Sequence, residues 1–215
     1  MTTNNRIINP APPNLPLSTD QYDRRYQDQF LNILRLYFNQ LQNSLTELLG
    51  NTGGKYIAFP YGAFSDFTSQ STTANTATLM ALNTTDFSNT VSLQTGSKIT
   101  VENAGIYNLQ FSAQLQNLDN APQDVFIWLK QNGTDIVGST GKVGMPARKS
   151  AGVPFHDIKG WNYFLSMNAN DYVQIYWSTT NAAVTIETYA ASGTPTKPST
   201  ASVVATLSFV SALPA

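Results

Sequence analysis

The sequence predicts a mainly β protein, a β-sandwich or jelly roll preceded by an N-terminal coiled-coil α-helix. Three observations carry that expectation. Between Leu31 and Leu48 the apolar residues fall at Leu31, Leu34, Phe38, Leu41, Leu45 and Leu48, a strict alternation of three and four that makes the a/d seam of a coiled coil. Beyond residue 55 the helical period vanishes, and short stretches alternate polar and apolar residues with a period of two. Gly, Asn and Pro separate these stretches at turn-like positions.

Residues 1–17 come first and carry Pro10, Pro12, Pro13 and Pro16 among Asn and Thr. Proline has no N–H and blocks the helix, so this peptide is expected to lie extended against a partner. Ile7, Ile8, Leu15 and Leu17 are its candidate anchors. A helical stalk over residues 18–50 follows. Ser18 and Gln21 make an S-x-x-Q capping box, Leu17 and Tyr22 a hydrophobic staple, and Gly50, Gly53 and Gly54 a stop. A second stripe, Tyr22, Tyr26, Phe30, Ile33 and Tyr37, runs beside the seam. A helix apolar over so wide an arc needs a partner surface, either copies of itself or its own β-domain.

The head is expected over residues 55–215. In Gly105–Gln116 the residues Tyr107, Leu109, Phe111, Ala113 and Leu115 alternate with Asn108, Gln110, Ser112, Gln114 and Gln116, giving one dry and one wet face. Val125 to Leu129 is apolar throughout, as for a strand covered on both sides, and Asn132-Gly133 is the preferred pair for a tight hairpin. Tyr172–Trp177, Ala183–Tyr189 and the closing SVVATLSFV alternate again. The Gly-rich basic stretch 141–160 and residues 191–200 break the pattern and read as exposed loops.

Composition narrows the function. Only 12% of residues are charged, and 25 Thr and 20 Asn supply much of the polarity, a surface suited to a rigid β-protein facing the medium. A net charge of −1 gives no field to attract nucleic acid or an anionic membrane. Without cysteine there is neither a disulfide nor a thiolate metal site. No stretch approaches a membrane span, and the N-terminus lacks a secretory apolar core, so assembly in a cytoplasm is expected.

Chemistry is sparse. The only histidine, His156, has no G-x-S-x-G serine to serve, and no H-E-x-x-H is present. Asp119, Asn120 and Asp124 could offer oxygens to calcium, without the spacing of an EF-hand. The expectation is a protein that is not an enzyme and carries no cofactor or metal. Lys142, Arg148, Lys149 and Lys159 form the one concentration of charge, and Trp161, beside Gly160, is the candidate platform for stacking on a sugar. Trp161, Arg148 and Lys149 are therefore the candidate receptor contacts, whereas Trp128 and Trp177 read as core.

The blocks KITVENAGIYNLQFSAQL, DVFIWLKQNGTDI, NYFLSMNANDYVQIYW and SVVATLSFV, in this order, resemble the strand signatures of the tumour-necrosis-factor and complement globular-head jelly roll. The segment PNLPLSTDQYDRRYQDQFLNILRLYFNQL is similar to the start of structural proteins of tailed phages, marine ones especially. The resemblance implies a homotrimer packed through inner sheets and a helical stalk, with SVVATLSFV along the axis. It further implies a virion protein of capsid-decoration or head-fibre type, docked to a major capsid or tail protein through its N-terminal segment. The alternative is a tail-fibre head that recognises a host-surface glycan or protein. The absence of cysteine and of a collagen-like stalk separates the chain from the receptor-ligand and immune branch.

Overall fold

The computed structural model describes residues 10–17, 20–49 and 59–213. The expected anchors Ile7 and Ile8, the cap Ser18, the glycines at 50, 53 and 54 and the side chain of Leu48 lie outside the described residues. The chain divides into two units, residues 1–58 and 59–215.

The first unit contains α1 (Arg24–Leu49). It begins later than the capping box suggests, because the chain still bends at Asp20 and Gln21. Asp23 is the cap. Its Oδ1 accepts the Arg25 N–H at 2.8 Å, and its carbonyl accepts the Gln27 N–H at 3.1 Å, so a short carboxylate satisfies the first free donors next to the positive helix end. The expected staple does not form, since Leu17 is 92% and Tyr22 81% exposed. Twenty-six residues make a rod about 39 Å long, shorter than the 18–50 reading allows.

The second unit is mainly β. Its strands are β1 (Tyr61–Asp66), β2 (Thr78–Leu79), β3 (Thr84–Asn89), β4 (Val91–Gln94), β5 (Lys98–Val101), β6 (Gly105–Asn117) and β7 (Gln123–Gln131). There follow β8 (Thr134–Asp135), β9 (Gly141–Met145), β10 (Phe155–Met167), β11 (Tyr172–Thr179), β12 (Val184–Ile186), β13 (Ser192–Gly193), β14 (Thr196–Lys197) and β15 (Val203–Ser211). One sheet runs β10-β6-β15-β1-β3, with β12 also on β6. The other runs β4-β5-β11-β7-β8, with β2 on β11 and β9 on β7, and β13-β14 is a small separate hairpin. The inward faces of both sheets feed one core. Tyr107, Leu109, Phe111 and Leu115 of β6 and Ala205 and Leu207 of β15 join Ile127, Leu129, Ile175 and Trp177 of the opposite sheet. This is the arrangement of a β-sandwich.

Two stretches expected as loops contain strands. The stretch 141–160 contains β9 and the first half of β10. Glycine hides them in the sequence, and two of the glycines have a packing reason. At Gly141 a Cβ would meet the Trp161 ring at 2.6 Å, and at Gly160 it would meet the Phe111 carbonyl oxygen at 2.0 Å. Residues 191–200 hold the β13–β14 hairpin. The Asn132-Gly133 turn is as expected: φ is 51° and 81°, and Gln131 pairs with Thr134 across a two-residue loop.

The sandwich has two ends. Chain entry at Pro60 lies beside chain exit, where the Phe209 N–H donates to the Pro60 carbonyl at 2.9 Å. Ile106 pairs there with Ser211 and Ser166. At the far end, Asn117 pairs with Phe155 and Val184. The 13 residues of β6 separate these ends by about 40 Å.

At the entry end Asp171 ties two turns together. Its Oδ1 accepts from Asn132 Nδ2 at 2.7 Å, and its Oδ2 from the Asn168 N–H at 2.8 Å and Gln131 Nε2 at 3.1 Å. Partial burial pushes its pKa up, but the hydrogen bonds to the charged form outweigh this and hold it below the ordinary 3.8. A lowered folded-state pKa stabilises the fold above the ordinary carboxylate value and is lost as pH falls through the folded one. Melting temperature should therefore fall on acidification below about pH 4. Asp171→Asn should melt lower than wild type at pH 7 and show a shallower acid loss. Parallel acid slopes for the two proteins would show that the clamp contributes nothing.

Candidate functional site

Two surfaces stand out, one in each unit. On α1 the seam is open: Leu31 is 55%, Phe38 58% and Leu45 46% exposed, while Leu34 and Leu41 are half-buried. Tyr26, Phe30, Ile33 and Tyr37 of the neighbouring stripe are half-buried, and Tyr26 stacks on Phe30 at 6.1 Å.

The other surface is the outward face of β10-β6-β15. The register places Ile158 beside Gln114, Gly160 beside Ser112 and Val204, Asn162 beside Gln110 and Thr206, and Phe164 beside Asn108 and Ser208. Ile106 and His156 continue the same face. None of these outward positions, from His156 to Ser166 on β10, Ile106 to Gln116 on β6 and Val204 to Ser208 on β15, is Asp, Glu, Lys or Arg. Ile158 is 59%, Phe164 56% and Val204 39% exposed. A broad charge-free face with standing apolar side chains matches the buried core of interfaces, where charge is depleted. The alternation in β6 is visible in the sequence, whereas the repeated lack of charge on the neighbouring strands shows only in the register.

The candidate sugar contacts do not form one site. Trp161 lies in the middle of β10, not at a loop end. Its ring meets Phe111 edge-on at 4.7 Å, covers Gly141 and packs against the core. Arg148 and Lys149 sit in the loop after β9, where the Arg148 N–H donates to the Asp119 carbonyl at 2.8 Å and the Lys149 N–H to that of Val153 at 2.9 Å. The basic cluster is partly neutralised: Lys142 Nζ is 2.8 Å from Asp124 and Lys159 Nζ 2.9 Å from Asp157.

Trp128, expected in the core with Trp177, faces outward instead. Only Trp177 is fully buried. Within the apolar run, Val125, Ile127 and Leu129 point inward, and Phe126 and Trp128 are left half-exposed on the other side of β7. Trp128 Nε1 donates to Asp135 Oδ1 at 2.7 Å, and its ring lies 6.0 Å from that of Tyr176. Lysines cover neighbouring rings: Lys130 over Tyr176 at 4.6 Å, Lys98 over Tyr172 at 4.6 Å and Lys142 over Phe126 at 5.7 Å. The run looks doubly buried in sequence because charged neighbours, not a second layer, shield its outer half.

The remaining candidates resolve into structural contacts. His156 Nδ1 lies 2.9 Å from the Tyr189 hydroxyl, linking β10 to the segment before the small hairpin. Burial, followed by the Glu187 charge, pushes the Tyr189 pKa up. Asp119 Oδ2 accepts from Gln123 Nε2 and Asn181 Nδ2, both at 2.6 Å, and Asp124 is held by Lys142. Among the described residues no group of three acidic or histidine side chains converges as a metal site, and no helix is long and apolar enough to cross a membrane. No protein-family model matches the chain, and a search of curated proteins finds no match to it.

Proposed function

We propose that this chain is a homotrimeric structural protein of a tailed-phage particle, of capsid-decoration or head-fibre type, displayed on the particle surface. The observation that carries the proposal is the charge-free outward face of β10-β6-β15, which leaves Ile158, Phe164 and Val204 to water in the single chain. Copies of that face packed about an axis, with the α1 seams packed as a coiled coil, remove both apolar surfaces at once. At ~25 cal/mol per Å² of apolar area the burial favours assembly.

The strand order supports a jelly roll. Taking β1, β5, β6, β7, β9, β10, β11 and β15 as strands one to eight, one sheet reads one-eight-three-six and the other two-seven-four-five, the order of a jelly roll. The virion location rests on the resemblance of the N-terminal segment to phage structural proteins. The extended peptide, of which Leu15 and Leu17 stand exposed, then docks to a major capsid or tail protein. The role assigns no catalysis and no cofactor.

Light scattering of the full chain after gel filtration tests the assembly. Three times the chain mass of 23.5 kDa is expected. A monomer at about 10 µM, where an interface of standard size is formed, overturns the proposal. Mass spectrometry of purified particles then tests the location, and absence of the chain from them defeats it.

A further inference from the structure

The far end of the sandwich, opposite chain entry and exit, holds an open cleft of about 650 Å³ between Pro122, Gln123, Asp124, Gly144, Pro146 and Thr180. Its polar wall is organised before any ligand arrives. The Thr180 hydroxyl donates to Gln123 Oε1 at 2.6 Å and accepts the Asp124 N–H at 2.9 Å. Gln123 and Asn181 both donate to Asp119 Oδ2, and the Ala183 N–H holds Asn181 Oδ1 at 2.9 Å. Asn117, wholly buried behind this wall, donates to the carbonyls of Ala121 and Pro146. Two acceptors stay open: Asp119 Oδ1 and Asp124 Oδ1 have no donor among the described residues.

Gly144 shapes the opening. It pairs with Asp124 across the β7–β9 ladder, and a Cβ there would meet nothing within 4 Å, so the missing side chain leaves Asp124 accessible from the sheet face. The next outward residues on β7 are Phe126 and then Trp128, each about 7 Å further along the strand. Beyond the cleft the same face carries the half-exposed rings of Phe126, Trp128 and Tyr176. Lys142 lies over Phe126 at 5.7 Å and Lys130 over Tyr176 at 4.6 Å, which leaves Trp128 as the ring without a lysine over it among the described residues. Asp119 and Asp124 are balanced by Lys142 and Arg148 nearby, and Lys142 pairs directly with Asp124, so the track favours no ionic ligand.

We infer that this track binds a neutral oligosaccharide, whose hydroxyls hydrogen-bond to Asp124 and the backbone at Gly144 while a later sugar ring lies on Trp128. Fixed carboxylates and amides suit groups that both donate and accept, and aromatic faces suit the apolar faces of pyranose rings. A wall already held by its own hydrogen bonds needs little ordering on binding. The inference rests on the display reading only for its biological use; the binding itself needs no particular oligomeric state.

The test uses the full chain on an array of neutral gluco-, galacto-, manno- and rhamno-oligosaccharides, followed by titration of the best hits. Wild type is expected to bind at least one series with Kd of about 1 mM or tighter. Gly144→Trp, which fills the opening without touching the core, should weaken that binding at least tenfold with native mass and melting temperature unchanged. Lys149→Ala, outside the track, should bind as wild type. Silence across the array, or equal binding by Gly144→Trp, overturns the inference and leaves the trimer reading to its own mass measurement.

Discussion

Gly160→Val is expected to cost about 3 kcal/mol of folding stability or more, the upper range for forced overpacking. The reason is backbone, not side chain. Gly160 pairs with Ser112, and a Cβ built there lies 2.0 Å from the Phe111 carbonyl oxygen and 3.0 Å from both the Phe111 carbonyl carbon and the Ser112 Cα. No rotamer relieves such a clash, so the β10–β6 ladder must part. That ladder is the most extended pairing of the fold, with thirteen register pairs. The loss would therefore spread to the Phe111–Trp161 contact beneath it. Gly144→Ala is the control. It is also a strand glycine but has open space at its Cβ, and it should stay within about 0.5 kcal/mol of wild type. Urea unfolding of both variants decides the matter. A Gly160→Val midpoint equal to wild type would mean that the two strands are not so closely apposed.

The second large effect is expected at Phe38, in the middle of the α1 seam. If trimerisation buries the seam, Phe38→Asp places three uncompensated carboxylates around one axis, at about 3–5 kcal/mol for each unpaired buried charge. The oligomer should then fall to the 23.5 kDa chain mass at concentrations where wild type is trimeric. Leu36 supplies the contrast. It is 52% exposed but two residues away, about 200° round the helix, so Leu36→Asp should leave the mass unchanged. Equal behaviour of the two variants would mean that the seam is not the assembly surface. The β10-β6-β15 face would then be left to hold the oligomer alone.

How much of this could be read from sequence depends on what each residue faces. β6 was legible from Gly105 to Gln116 because its inward side is dry and its outward side is wholly polar but for Ile106. β11 and β15 were legible from the same alternation, although Tyr176 and Val204 interrupt their outward polar sides. β9 was not, because Gly141 and Gly144 remove the signal, and the side chain that makes Gly141 sensible, Trp161, lies twenty residues on. The first half of β10 was hidden by Asp157 and Lys159, which read as loop charges but pair with each other at the edge of the sheet. Trp128 went astray because its outward ring is met by Asp135 and Tyr176, contacts that leave no periodic trace. The helix start moved from Ser18 to Asp23 because two adequate caps stood within six residues and only tertiary context chooses between them. The largest gap was the charge-free face. Its strands β6, β10 and β15 are far apart in sequence, and only their register shows that their uncharged positions coincide.

Entry and exit of the chain at one end of the sandwich, some 40 Å from the cleft, have a mechanical meaning. A head held by its N-terminal side and pulled by something gripped at the far end is loaded along its strands. Hydrogen bonds between β1 and its neighbours β3 and β15 then lie across the pull and must break together rather than one after another. The same sandwich stretched between its own two termini would open like a zip from Pro60 and Phe209. Single-molecule extension in the two geometries should give clearly higher rupture forces in the first. A higher force in the first geometry would show that the sandwich bears load along its strands better than load applied between its own two ends.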